Sequence, residues 1–128
     1  MRKLLILSAM IVGTSLYACP DLDGRWVCEE NIEETLTLEQ SVNADGITVY
    51  DNGEEAIVAD GEWHNMEDGT KVKMTCLSDK ELEINQIDGD ETMDSIFTLN
   101  SANFMIQVFS ISSPEFGDSE FGQSCMRF

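Results

Sequence analysis

The chain has little of what enzyme chemistry most often uses. It holds one histidine, His64, two prolines, and seven bases against 25 acids. A Ser-His-Asp or Cys-His centre would depend on His64 alone, and zinc sites need paired His and Cys spacings that are missing here. His64 sits beside Trp63 at a strand end and reads as a surface histidine rather than a catalytic base. No phosphate-cradling glycine loop or dinucleotide fingerprint occurs, so neither a cofactor nor enzymatic activity is expected. A formal charge of −18 repels nucleic acid and anionic lipid headgroups. No run of alternating heptads or helical periodicity stands out, which disfavours helical architectures.

A single long apolar run occurs, at the N terminus. Arg2 and Lys3 precede Leu4–Gly13, and Leu16-Tyr17-Ala18 has the small residue of a cleavage site. The run falls short of the ~20 residues that span a bilayer, so it reads as an export signal over residues 1–18. Its removal takes away two bases and no acids. The remaining domain, residues 19–128, carries 25 acids and five bases, a formal charge of −20. Such charge keeps an exported protein dispersed. It also attracts calcium, a cationic ligand or a basic protein partner.

What remains is rich in strand and turn signals. Short alternating segments recur at Arg25–Cys28, Thr35–Val42, Ile47–Tyr50, Glu55–Ala59, Thr70–Cys76, Glu81–Ile87, Thr92–Asn100, Asn103–Ser112 and Gln123–Arg127. Thr70–Cys76 is the cleanest: Val72, Met74 and Cys76 face one way, Lys71, Lys73 and Thr75 the other. Asn52-Gly53 predicts a two-residue hairpin turn. Ile87 departs from the parity of its strand and suggests a bulge. Ser113–Gly122 reads as the one long irregular segment. These features predict an all-β fold after the signal: an antiparallel up-and-down barrel of about eight to nine strands, in one domain.

Four cysteines suit an oxidising compartment, periplasmic or extracellular. They allow three pairings. Parity puts Cys28 and Cys76 on apolar faces, and Cys19 and Cys125 lie near the two ends of the domain. The expected bridges are therefore Cys28–Cys76 and Cys19–Cys125. No metal site is expected. The acidic stretch Asp88–Asp94 opens like a calcium loop, but Met93 stands where glycine is needed and Leu99 where glutamate is needed.

Several stretches resemble known families. Asp21-Leu22-Asp23-Gly24-Arg25-Trp26 is similar to the first strand of lipocalins, whose G-x-W Trp plugs one barrel end. Their Thr-Asp-Tyr element has no counterpart here. The resemblance implies a lipocalin-like barrel that binds a small apolar or amphipathic ligand, with Trp26, Val72, Met74, Leu82, Ile84 and Phe97 as lining. Trp26-Val27-Cys28 resembles the opening strand of periplasmic lysozyme inhibitors, but Ala59–Trp63 lacks their Ser-Gly-x-x-Tyr pattern. Metalloprotease inhibitors with a small barrel share the early G-x-W. These imply an alternative: an inhibitor or adaptor that presents Trp63, His64, Phe116 and Phe121 to a basic partner such as a lysozyme or protease. Leu16–Cys19 resembles a lipobox apart from Tyr17, which implies a lipid on Cys19 and anchoring in the outer membrane as an alternative to plain secretion.

Overall fold

The computed structural model describes residues 18–128; the expected export signal over residues 1–18 lies, but for Ala18, outside the described residues. Ten strands account for most of the rest. They are β1 Gly24–Cys28, β2 Asn31–Val42, β3 Thr48–Asp51, β4 Ala56–Val58, β5 Trp63–Asn65, β6 Lys71–Cys76, β7 Glu81–Asp88, β8 Glu91–Ser101, β9 Phe104–Ser113 and β10 Gly117–Arg127. No helix occurs among the described residues.

The strands form one antiparallel sheet in the order β4-β3-β2-β1-β10-β9-β8-β7-β6-β5. Each strand pairs with its chain neighbour, and the last strand pairs with the first. The two edges, β4 and β5, are consecutive in the chain and joined by Ala59–Glu62. That connector is stitched to both flanks: the Ala59 N–H donates to the Thr48 carbonyl at 2.8 Å and the Gly61 N–H to the Met74 carbonyl at 2.9 Å. The sheet therefore curls into a barrel-like body with an inner and an outer face.

Alternation sorts the residues between these faces. On β6, Val72 and Met74 are buried, whereas Lys71 and Lys73 lie outside. On β7 and β8, Leu82 opposes Phe97 and Ile84 opposes Ser95. The buried core gathers Leu22, Trp26, Tyr50, Met74, Leu82, Met105 and Cys125. Fully burying side chains of this size contributes about 1.5–3 kcal/mol each.

The structure corrects several expectations. There are ten strands rather than eight or nine. Ser113–Gly122 is not irregular: β9 includes Ser113, only Pro114–Phe116 turn, and Gly117–Gly122 belong to β10, paired residue for residue with β9. β7 keeps one register through Ile87, with no bulge there; the register shifts lie instead between Val27 and Cys28 and between Phe104 and Met105. The Asn52-Gly53 hairpin exists, but its loop spans four residues, with the Asn52 amide oxygen accepting from the N–H groups of Glu54 and Glu55. Two-residue links occur at Glu29-Glu30, Gly89-Asp90 and Ala102-Asn103, and Gly89 has φ +62.

The disulfides are Cys19–Cys76 and Cys28–Cys125, not the expected pairing. The reason is topological. β10 lies beside β1, so Cys125 stands directly opposite Cys28, with their Cα atoms 3.9 Å apart. β6 is five strands from β1 in the sheet, out of reach of Cys28. Cys19 instead crosses the barrel end to the last residue of β6. Two such bridges suit an oxidising compartment.

Candidate functional site

Up-and-down pairing puts alternate turns at the same end of the sheet. One end gathers the turns Glu29–Glu30, Asn52–Glu55, Met66–Thr70, Gly89–Asp90 and Pro114–Phe116. The opposite end gathers Asn43–Ile47, Ala59–Glu62, Leu77–Lys80 and Ala102–Asn103, with the segment Cys19–Asp23 that precedes β1.

The second end is sealed. Trp26 is fully buried, and its indole N–H donates to the Leu22 carbonyl at 2.9 Å. The Tyr50 hydroxyl donates to the Pro20 carbonyl at 2.7 Å, and burial pushes its pKa well above the ordinary phenol value, with the Asp21 charge adding to the effect. The Leu22 N–H donates to the Gln40 side-chain oxygen, and the Gln40 N–H to Asp23. Arg127 closes the plug from outside. Its guanidinium lies 4.6 Å from the centre of the Trp26 ring and donates to the carbonyls of Ala102 and Asp23.

Above the plug is an apolar cavity of about 190 Å³. Met74, Leu82, Ile84 and Phe97, all expected as lining, face it. Leu22, Leu36, Leu38, Tyr50 and Ile57 line it as well. The Leu36/Leu38 alternation was the sequence signal for two of these; Tyr50 and Ile57 lie opposite each other on β3 and β4 and share the face by register. Asn52 and Gln86 are the polar residues of the wall.

The other two expected lining residues lie in adjoining spaces. Val72 lines a second cavity of about 260 Å³ at the unsealed end, which shares Asn52, Ile57 and Gln86 with the apolar one and is bordered by Glu55, Asp68, Asp88 and Glu91. The Asp68 carboxyl is held below the usual range by the backbone and side chain of Thr70. Trp26 lines a side pocket of about 240 Å³ with Gln107 and Gln123, separated from the apolar cavity by Leu36.

The four residues expected to meet a partner do not share one patch. Trp63 and His64 are on β5, Phe121 on β10 and Phe116 in the turn before it, with β6 to β9 between. Trp63 carries the Lys73 ammonium 5.1 Å from its ring centre. The His64 Nε2 lies 2.9 and 3.0 Å from the two Asp60 carboxylate oxygens. Burial opposes ionisation of Asp60, yet the Glu62 N–H and His64 outweigh it and hold the carboxyl below its ordinary pKa. Phe121 stacks on Phe109 at 4.9 Å, and Phe109 meets the edge of Phe97 at 6.0 Å. Phe116 is 82% exposed at the hairpin tip.

Among the described residues no group of three or more His, Cys, Asp or Glu side chains is arranged to hold a metal ion. No family model, curated protein or solved structure matches the chain.

Proposed function

We propose that this is an exported, non-enzymatic binding protein with a lipocalin-like up-and-down barrel, which holds a small apolar or amphipathic ligand inside. The observation that carries this reading is the apolar cavity between the Trp26 plug and the unsealed end, lined by Met74, Leu82, Ile84 and Phe97. A packed barrel fills its interior with its own side chains; a cavity of this kind, open through a polar mouth, is the form of a small-ligand site. Pairing of β1 with β10, and a four-residue link between the edge strands, support closure. The Cys19–Cys76 bond supports cleavage after Ala18 over lipidation, because a sulfur in a disulfide carries no thioether-linked lipid.

The test compares native and denatured mass spectra of the exported protein from its own host. The expected result is extra mass that is lost on denaturation, together with binding of an apolar fluorescent probe that Met74→Trp abolishes by filling the cavity. A bare polypeptide mass, with no probe bound by the wild type, overturns the reading.

A second reading, an inhibitor or adaptor for a basic protein, draws on one observation: the Phe116 ring stands 82% exposed at the tip of the β9–β10 hairpin. It requires salt-sensitive capture of a basic partner that Phe116→Ser weakens.

A further inference from the structure

We propose that the ligand is a cationic amphiphile, whose apolar chain fills the inner cavity and whose amine lies in the mouth. This inference rests on the reading that the interior binds a small ligand. The two cavities adjoin at Asn52, Ile57 and Gln86, and an elongated molecule reaching from one into the other would pass between these side chains. The inner wall is apolar. The mouth is bordered by Glu55, Asp68, Asp88 and Glu91, and no base lines either space. The nearest bases along the chain, Lys71 and Lys73, alternate with the inward Val72 and Met74 and lie on the outer face. None of the four carboxylates has a salt-bridge partner among the described residues, where the ion pairs are His64–Asp60 and Arg127–Asp21.

A second observation concerns the inner face of β8. Ser95 is 2% exposed, and its hydroxyl makes no hydrogen bond among the described residues. Register sets it opposite Ile84, a wall residue of the apolar cavity, so it is on the inner face. Along β8 it falls between Met93 of the mouth and Phe97 of the inner cavity. A buried hydroxyl without a partner is costly. A cationic head passing along this wall would meet the Ser95 oxygen once the side chains that cover it move aside.

The alternatives fit less well. A fatty acid would bring its carboxylate to a mouth bordered by four others, an arrangement disfavoured by Coulomb repulsion. A metal ion needs converging ligands, and these carboxylates are spread around the rim. A diffuse organic cation needs only the summed field of the rim.

The test uses three probes with one chain: octylamine, octanol and octanoate, titrated calorimetrically into the full exported protein at low salt. Octylamine is expected to bind about tenfold or more tighter than octanol, with octanoate weakest. The preference should shrink at high salt. Substituting Glu55→Gln, Asp68→Asn, Asp88→Asn and Glu91→Gln together should bring the octylamine-to-octanol affinity ratio down to about one. These amide side chains keep an acceptor for the turns, as Asp68 provides for the Thr70 N–H. If the variant does not fold, the salt dependence of the wild-type ratio decides. Octanol or octanoate binding as tightly as octylamine, or a preference that neither salt nor the substitutions reduce, overturns the inference and leaves the binding reading intact. Failure of all three probes to bind overturns both.

Discussion

The two ends of this barrel are built from opposite materials. One is tied: Cys19–Cys76 crosses it, Trp26 and Leu22 fill it, and Arg127 lies over the plug. The other has no bridge among its turns. Its five turns contain eight acids and no base, against four acids and one base in the four turns of the sealed end. Like charges crowded at one rim repel each other and resist close packing. The contrast teaches where stability and binding are separated: the sealed end holds the fold together and leaves the mouth free to carry charge that contributes nothing to it.

The comparison can be broken at its strongest point first. Reducing both disulfides should cost about 2–5 kcal/mol each, because they close separations of 57 and 97 residues. Urea midpoints with and without reductant measure this. A midpoint that does not move would mean the plug needs no covalent help.

Alkaline pH probes the same end more gently. The Tyr50 phenol titrates higher in the folded protein than in the unfolded chain. Its contribution is fully present below the ordinary phenol pKa of 10.0 and is lost as pH rises from there towards the folded value. Stability should fall by about 1.4 kcal/mol per pH unit in that window. Tyr50→Phe should remove this slope while costing about 1–3 kcal/mol at neutral pH, since the Pro20 carbonyl loses its donor. Urea unfolding from pH 8 to pH 11.5 reads both effects.

The smallest effect belongs to the mouth. Glu115→Gln or Asp90→Asn should change stability by less than about 0.5 kcal/mol, with a slight gain from reduced repulsion. Thermal melts at low salt measure it. A loss above 1 kcal/mol, on the order of a buried contact, would show that this end also holds the fold.

Much of this could be read in the sequence, for a physical reason. Strand parity is local, so Val72 and Met74 were assigned to the inner face from their own neighbours. Leu82 and Ile84 followed in the same way, and with Phe97 four of the six expected lining residues face one cavity. Contacts between distant strands were a different matter. Cys28 and Cys76 share a facing preference, but parity does not say which strands adjoin, and β10 rather than β6 is the neighbour of β1. Gly117–Gly122 was missed because its glycines, acids and exposed positions carry no burial pattern; pairing with β9 makes it a strand. The mouth was illegible for the same reason as the bridges. Glu55, Asp68, Asp88 and Glu91 stand in or beside three separate turns, and only the alternation of turns between ends brings them to one rim.

The adjacency of the first and last strands also sets when this protein can acquire its shape. Until Gly117–Arg127 is available, β1 has no partner on one side, Cys28 has no thiol opposite it, and nothing lies over Trp26. A chain still emerging from the ribosome can form hairpins but cannot close them into a body. Pairings that span nearly the whole sequence are slow to form, because the entropy of closing the loop is lost before any contact compensates. Closure of the body thus waits for β10, whatever hairpins have formed before it.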